Sequence, residues 1–427
     1  MKKRTRSRRR EQARRSARRV ASDDLDRPSG AILEFREQLR GELVATIRQA
    51  VAATAVQLVQ DEMAELVGAP WSRKGENSLR RNGSAATTIF LDGERFEFDR
   101  PRVRDIVSGH EQTLTTIQAL RSRDALDADV KRRLIRGIST RDYEGALTGL
   151  AEGVGLKKSA VSSAFQRASQ KDLDAINGRH LGEWSFVAAF IDGIDFAGTM
   201  CVAALGVTTD GTKLVLGVRE GATENGQIVA DLLASINERG LRHEGRLLFV
   251  LDGGKALASA VRKTFGKAAV IQRCTEHKIR NVQSYLPKSL QAEARRRLRA
   301  AWGMTSLEDA RKELMAVLAW LASKSESAAS SLKEGFEETL AVHGLGITGT
   351  LRRTLMTTNP IESAFDGVRK HSHRVKRWRA SNMVMRWVGT GLVRVEKRFR
   401  RVKGHRDIPV LVNALTSTDL NDERKRA

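Results

Sequence analysis

The sequence predicts an α/β core with a mixed β-sheet, a long helical segment within that core, and a preceding helical region that carries a small β-hairpin unit. Three observations predict this class. Apolar, β-rich runs and one amphipathic segment alternate between residues 184 and 254 in the order strand, strand, strand, helix, strand, helix. Residues 289–342 have helical periodicity throughout. An Asp-Gly pair flanked by alternating apolar residues interrupts the first half of the chain.

The composition favours a polyanionic partner. The chain has 427 residues, a formal net charge of +24 and 41% hydrophobic residues, enough for roughly two to four domains. Because each neutralised phosphate releases counterions, nucleic acid is the expected partner. An acidic membrane surface is the competitor, but no run approaches the about 18 consecutive apolar residues of a spanning helix. The two cysteines cannot build a disulfide framework, which fits a reducing cytoplasm.

The N-terminal part is predicted to be a basic arm followed by helices. Residues 1–30 are the predicted flexible arm, since basic side chains fill the first twenty positions without the apolar stretch of a secretory signal. Such a charge run is either ordered by DNA or only a solvated tail. Residues 31–85 are predicted to be a helical dimerisation or DNA-binding region, because apolar residues recur at spacings of three and four over 31–68.

A β-hairpin unit and a helix-turn-helix are predicted next. Residues 86–110 alternate around Asp92-Gly93, a strong hairpin pattern. Residues 111–180 are predicted to be a helical DNA-binding domain, with a turn at 153–155 and a second helix that presents its first side chains to a major groove. Two packed helices joined by glycine also occur in domains that bind no DNA. The candidate DNA contacts are Lys157, Lys158, Ser159, Ser162 and Ser163.

Two aspartates follow apolar strands. Asp192 directly follows FVAAFI and Asp252 follows LLFVL, so both carboxylates are expected at the rim of the sheet, where open α/β sheets bind ligands. Asp195 would face the opposite side of the strand from Asp192, and we choose Asp192 because it abuts the apolar run. A lone Asp-Gly is more often a turn. As a pair, the two acids predict a site for hard divalent cations.

A third acid would complete such a site. Phosphodiester chemistry with two metal ions needs about three carboxylates. Glu362 lies in TTNPIESAFDGVRK, where Asn359 is predicted to cap a helix that has Pro360 in its first turn. The alternative is an acid that only compensates the helix dipole. Arg369 returns to nearly the same helical face and could hold a DNA phosphate there.

Together these segments resemble the Mutator-type family of bacterial insertion-sequence transposases. The resemblance extends from about residue 30 to about residue 400. The segments that carry it are FIDGIDF, GVREGATENGQIVADLLASINERGL, LLFVLDGGKALASAVRKTFG, VIQRCTEHKIRNVQSYLP and RRTLMTTNPIESAFDGVRK. Two positions depart from many relatives, which carry Arg directly after the Glu and His three residues after the first Asp. Ser363 and Asp195 stand at those positions here.

The resemblance implies a ribonuclease-H-like catalytic core interrupted by an all-helical insertion. Its Asp, Asp, Glu triad falls on Asp192, Asp252 and Glu362, and its basic residue seven places after the Glu falls on Arg369. The acids are expected to hold two Mg²⁺ ions, with Mn²⁺ as a substitute. The predicted boundaries are 181–288 for the first part of the core, 289–345 for the insertion, 346–400 for the last part with the Glu helix, and 401–427 for a C-terminal tail.

A Cys-x-x-His pattern follows the second aspartate. RCTEHK places Cys274 and His277 in this arrangement, which the family also has. A structural zinc site normally needs four ligands, and no second Cys-rich cluster exists. We therefore expect both residues to support the metal ligands or to pack near the active site, with His277 near the scissile phosphate.

A basic segment and a tryptophan are also predicted to contact DNA. The segment HSHRVKRWR, residues 371–379, is predicted to be a phosphate-binding surface. Trp302 is a candidate for stacking on a base unpaired beside the cut, although helical Trp is most often core. The candidate phosphate contacts are Arg369, Lys370, Arg374, Lys376, Arg377 and Arg379.

The expected function is that of a DNA transposase. Metal-dependent cleavage at an element end would expose a 3′ hydroxyl, which the same site would direct at a target phosphodiester. The resemblance implies that the N-terminal helices recognise terminal inverted repeats in double-stranded DNA and that a homodimer joins two ends. The alternatives are a catalytically inactive DNA-binding repressor and a metal-dependent nuclease without strand transfer. We expect a bacterial cytoplasmic, nucleoid-associated protein without a membrane partner.

Overall fold

A computed structural model describes most of the chain. The described residues are 30–68, 78–91, 94–121, 124–136, 158–222, 225–373, 375, 377–378 and 381–424. The chain divides into two compact units, one of residues 1–130 and 138–164, the other of residues 131–137 and 165–427. Several predictions lie outside the described residues: those for the arm up to residue 29, the Asp92-Gly93 turn, the turn at 153–155, Lys157, Arg374, Lys376 and Arg379.

The first unit combines a long helix with a small sheet. Its elements are α1 (Gly30–Val67), β1 (Leu79–Leu91), β2 (Glu94–Asp105), β3 (Glu111–Gln112), α2 (Thr115–Arg121) and most of α3 (Asp124–Ile135). Strands β1 and β2 pair antiparallel with Ile89 opposite Phe96, so the predicted hairpin strands are present. Val59 and Met63 of α1 pack on Val103 of β2, which gives the sheet an apolar face to bury.

Helix α4 (Lys158–Gly178) begins where the second helix of the predicted helix-turn-helix was expected. Ser162 is half-buried and Ser163 is exposed on this helix. The described residues do not include the preceding turn, so DNA recognition by this helix stays a prediction.

The second unit contains a five-stranded mixed sheet in the order β6-β5-β4-β7-β8. Strands β4, β7 and β8 pair in parallel, while β5 pairs antiparallel with both of its neighbours, β4 and β6. The elements are β4 (Phe186–Phe196), β5 (Thr199–Thr208), β6 (Lys213–Glu220), α5 (Gly226–Glu238), β7 (Leu247–Leu251), α6 (Lys255–Phe265), β8 (Ala269–Arg273) and α7 (Thr275–Ser284). The predicted mixed sheet is confirmed. Strand β8 was not predicted.

Both faces of the sheet are covered, which explains why its strands read as continuous apolar runs. Ala188 and Phe190 of β4 face one hydrophobic cluster, and Ala189 and Ile191 face the other. Helices α5 and α6 supply the second cluster, and the later helices supply the first. Because alternate side chains of a strand point to opposite faces, β4 lies at the centre of both cores.

The rest of the second unit is helical, as the sequence predicts for residues 289–342. Its elements are α8 (Lys288–Gly303), α9 (Leu307–Ala322), α10 (Glu326–Lys333), α11 (Ala341–Gly344), α12 (Gly349–Leu355), α13 (Asn359–Ser372), α14 (Ser381–Glu396) and α15 (Ile408–Arg424). Leu298 and Leu314 share one hydrophobic cluster with the sheet. The segment predicted as a C-terminal tail contains α15, whose Leu411 and Leu415 are buried in that same cluster. No helix among the described residues is long and apolar enough to cross a membrane.

Candidate active site

The two predicted aspartates lie side by side at one edge of the parallel part of the sheet. The parallel pairing of β4 with β7 ends at Ile191 opposite Leu251, and the next residue on each strand is Asp192 or Asp252. Neighbouring strands lie about 4.8 Å apart, so the two carboxylates emerge next to each other.

One detail differs from the sequence prediction. Asp192 does not close its strand, because β4 continues to Phe196 in antiparallel pairing with β5, where Asp192 stands opposite Ala203. Asp195 is exposed and accepts a bond from the amide of Gly198, 3.0 Å away, at the turn. Asp192, in contrast, is only 5% exposed. The choice of Asp192 over Asp195 therefore agrees with the burial of the two carboxylates, although it rested on a strand end that the structure lacks.

Asp252 is held by the turn that leads into α6. Its Oδ1 accepts a hydrogen bond of 3.0 Å from the amide of Gly254. Gly253 has a φ of +113°, and a Cβ there would approach Arg273 Nε to 2.6 Å. Glycine is needed because a side chain would meet both backbone strain and Arg273, and the turn keeps Asp252 close to the strand end.

Glu362 approaches from helix α13. The helix begins one residue earlier than predicted, with Thr358 and not Asn359 at the N-cap. The Thr358 side chain makes no capping bond to the helix. Its hydroxyl lies 3.2 Å from Glu362 Oε1 and 3.3 Å from His277 Nδ1. The predicted Asn359 cap is wrong because these tertiary contacts outweigh the capping preference of Asn.

His277 of α7 completes the cluster. Single ligand atoms of Asp192, His277 and Glu362 all lie within 4.8 Å of one another, and His277 Nε2 lies 3.7 Å from Glu362 Oε1. A hydroxyl carries one proton, so when Thr358 donates to Glu362 its oxygen is available to accept from the Nδ1–H of His277. That tautomer leaves the Nε2 lone pair facing the acids.

Asp192 is the acid that the fold perturbs most clearly. The pKa of Asp192 is raised to about 7, mainly by burial; the charge of His277 opposes the rise, and the nearby carboxylates of Asp252 and Glu362 contribute to it. The amide of Gly193 donates to Asp192 Oδ1 at 2.9 Å and also favours the ionised form. A buried carboxylate between two others is stabilised when a cation lies among them.

The donor set fits a hard divalent cation. Carboxylate oxygens suit Mg²⁺ and Mn²⁺, and imidazole nitrogen is a common additional ligand of transition metals. Asp192, Glu362 and His277 supply two oxygens and one nitrogen at suitable separations, with Asp252 beside Asp192 on the next strand. These residues could hold such an ion.

Cys274 and His277 occupy different positions relative to the acids. Cys274 is fully buried, and its sulfur accepts from the Thr358 amide at 3.4 Å. Burial raises the pKa of the Cys274 thiol. Cys274 therefore packs under the start of α13, while His277 faces the acids as a possible ligand.

Sequence reasoning missed Thr358 and Arg280. Thr358 is fully buried, and Arg280 Nη1 lies 4.0 Å from Glu362 Oε1 with a side chain that is 58% exposed. Arg280 lies three residues after His277, so the helical spacing in HKIR was an available indication. Nothing local distinguishes Thr358 from its neighbour Thr357.

The other residues predicted to contact DNA differ in their exposure to solvent. Arg369 is exposed and pairs with Asp366 at 3.1 Å; Lys370 and Arg377 are exposed as well. The side chains of Lys158 and Ser159 are not described. Trp302 is only 5% exposed, and its indole N–H donates to the Thr339 hydroxyl at 3.1 Å. Stacking on a base would require Trp302 to leave this core position, and its role in DNA binding stays a prediction.

Comparison with known proteins finds one matching family and several similar proteins. A family described as "Transposase, Mutator family" matches residues 32–402. The chain is 25% identical over 348 residues to the transposase for insertion sequence element IS256 in transposon Tn4001 of Staphylococcus aureus, covering 79% of this chain and 86% of the relative. It is 26% identical over 341 residues to the ISRM5 transposase of Rhizobium meliloti, with coverages of 77% and 82%. The IS6120 transposase of Mycolicibacterium smegmatis is 29% identical over 242 residues, with coverages of 55% and 73%.

Proposed function

Because the chain belongs to the Mutator family of transposases, whose members process DNA, we propose that it binds the terminal inverted repeats of an insertion sequence and catalyses metal-dependent strand cleavage and 3′-hydroxyl strand transfer. The observation that carries the proposal is the buried carboxylate of Asp192 beside Asp252, with Glu362 and His277 facing it. A buried acid this close to two other carboxylates destabilises the fold, which favours a functional role for its charge.

The fold supports a ribonuclease-H-like catalytic core. Three antiparallel-connected strands are followed by two parallel ones in the order β6-β5-β4-β7-β8, and the acids lie where β4 and β7 part. The helices α8 to α11 lie between the second acid and the Glu helix in sequence, as expected of an all-helical insertion.

We assign the catalytic triad to Asp192, Asp252 and Glu362. When two Mg²⁺ ions are bound there, or Mn²⁺ in their place, they would activate the attacking oxygen and stabilise the leaving one. The chain itself orients the ligands. The Gly193 and Gly254 amides hold one oxygen of each aspartate, and Thr358 holds Glu362 and His277.

Positive charge beside the acids would hold the DNA. Arg280 lies 4.0 Å from Glu362 and is mostly exposed, so it can reach a phosphate oxygen next to the reacting bond. Arg369 lies two turns after Glu362 on α13 and would bind a phosphate farther along. Both roles need a charged, exposed side chain, which both residues have.

The first unit would recognise the repeat and join two copies. Helix α4 would present its first residues to a major groove. Large apolar side chains on α1 are exposed with a spacing of four, which supports a homodimer formed through this helix. They are Phe35, Leu39, Leu43, Ile47 and Val51.

The test uses purified protein, Mg²⁺ or Mn²⁺, and labelled duplexes that carry a terminal repeat. We expect a new 3′ hydroxyl at the element end, followed by joining of that end to a second duplex. Binding without cleavage in either metal would overturn the enzymatic proposal in favour of a repressor. Cleavage without joining would overturn strand transfer and leave a nuclease.

A further inference from the structure

A strongly basic groove lies next to the candidate active site in the second unit. Its volume is about 890 Å³, and helices α12 and α13, the end of α14 and the segment after it line its walls. Among the described residues, seven lysines and arginines line it, and no aspartate or glutamate does. They are Lys213, Arg353, Lys370, Arg398, Arg400, Arg401 and Lys403.

Few of these cations have an acidic partner. Arg401 pairs with Asp210 at 3.6 Å, and Lys213 Nζ lies 4.8 Å from the centre of the Phe399 ring. For the other five, no carboxylate oxygen of the described residues lies within 4.0 Å. Burial lowers the pKa of Lys213, and the charge of Lys403 lowers it further. The groove thus gathers like charges without neutralising them, a cost that a bound polyanion offsets.

The groove borders the acid cluster through helix α13. Thr357 and Asn359, which line it, flank Thr358, the residue whose hydroxyl contacts Glu362. Ser363 and Gly367 also line it, and Ser363 follows Glu362 by one residue, or about 100° around the helix. A chain lying in the groove would therefore contact the same turn of α13 that carries Glu362, about a quarter of a turn away from that side chain.

We propose that this basic groove binds the sugar–phosphate backbone of DNA adjacent to the phosphodiester that reacts. The proposal deepens the proposed function and rests on it for the identity of the polymer. Seven cations exceed what a single phosphate requires, which favours a chain of phosphates. Lys213 lies over one face of the Phe399 ring, and the other described lining residues include no Phe, Tyr or Trp on which a base could stack. Binding is therefore expected to follow the backbone and to be independent of sequence.

The first test removes two exposed cations from the groove. The double variant Arg400→Ala, Lys403→Ala is compared with Lys312→Ala, Lys324→Ala, which removes the same charge from exposed positions outside the groove. The slope of log K against log salt concentration is measured for repeat and arbitrary duplexes. The groove variant should lower the magnitude of the slope by about two on both duplexes, and the control should leave it unchanged. An unchanged slope in the groove variant, with its melting temperature preserved, would overturn the proposal.

The second test locates the DNA directly. Both native cysteines are buried, so Arg400→Cys can carry a thiol-reactive photo-crosslinker as the accessible attachment point. Irradiation with a duplex that ends at the cleavage point should join the DNA to this variant and not to Lys324→Cys. Absence of crosslinks at position 400, with normal duplex binding, would exclude the groove.

The two proposals can fail separately. Wild-type protein that cleaves repeat ends, with groove variants of normal salt slope and no crosslink, would leave the transposase function standing and remove the groove. Crosslinking and a lower slope without cleavage in the wild-type protein would support the groove and remove the catalytic proposal.

Discussion

Replacing Asp192 with Asn should stabilise the metal-free protein at neutral and alkaline pH. The carboxyl is 5% exposed, and burial together with Asp252 and Glu362 raises its pKa from 3.8 to about 7. Each factor of ten in the protonation equilibrium corresponds to about 1.4 kcal/mol, so the rise represents roughly 4 kcal/mol. This figure is an upper limit, because the buried amide of Asn also has a desolvation cost.

The sign of the effect depends on pH. Below about pH 4 the Asp192 carboxyl is protonated in both the folded and the unfolded protein, so its ionisation does not change the free energy of unfolding. Between about pH 4 and pH 7 only the unfolded chain ionises Asp192, and the free energy of unfolding of the wild type falls as pH rises. Above about pH 7 Asp192 is ionised in both the folded and the unfolded protein, and the full destabilisation of the folded wild type remains. The advantage of Asp192→Asn should therefore grow from pH 5 to pH 7 and then stay constant.

The assay is urea unfolding of both proteins at pH 5, 6, 7 and 8 in the presence of a chelator. Asp366→Asn is the control, since Asp366 is exposed and pairs only with exposed Arg369, and such a pair contributes about 0 to 1 kcal/mol. Adding Mg²⁺ should stabilise the wild type much more than Asp192→Asn, because the variant lacks the anionic oxygen. A variant that is less stable than the wild type at pH 8 without metal would refute the assignment of a penalised carboxylate.

Three further predictions concern the chemistry. Glu362→Gln keeps the helix start but removes the anionic oxygen, so terminal-repeat binding should persist in a gel-shift assay while cleavage and strand transfer are lost; wild-type cleavage would contradict the triad. Thr358→Val removes the hydroxyl that contacts Glu362 and His277 and should slow cleavage and change its pH profile, whereas Thr358→Ser should restore both; equal rates in the two variants would exclude the positioning role. Arg369→Ala should weaken binding of pre-cut ends modestly with an unchanged melting temperature, and a large fall in that temperature would indicate a structural role.

The elements that the sequence predicts well are those whose pattern follows from burial alone. Strand β4 reads as FVAAFI because both faces are covered, and α5 shows helical periodicity because only Val229, Leu232, Leu233 and Ile236 are buried along it. Asp192 and Asp252 could be placed together because each directly follows an apolar run, and the parallel pairing of β4 with β7 does end just before both residues. Strand β8 was missed because its five residues end in Gln272 and Arg273, which read as polar.

The basic groove could not be predicted from the sequence, because its residues come from separate segments. Its cations come from β6, α12, α13 and the segment after α14, so no single stretch of sequence contains the pattern. The predicted phosphate-binding segment 371–379 contributes only His371 to the lining among its described residues, whereas Lys213 and Arg353 lie elsewhere in the sequence. They join the groove only through the packing of helices on the sheet.

Thr358, at the start of α13, depends on tertiary contacts that local helix preferences do not predict. Helix statistics favour Asn359 as the cap, yet Thr358 occupies that position and its carbonyl accepts the amides of Ile361 and Glu362, each at 3.0 Å. The hydroxyl is then left for Glu362 and His277, while the exposed Asn359 turns to the groove. Because the helix starts one residue earlier than predicted, the Thr358 hydroxyl contacts Glu362 and His277. The same shift leaves the side chain of Asn359 to line the basic groove. Local propensity cannot specify this choice, because it depends on the tertiary contacts of Thr358 with Cys274 and with His277 of α7.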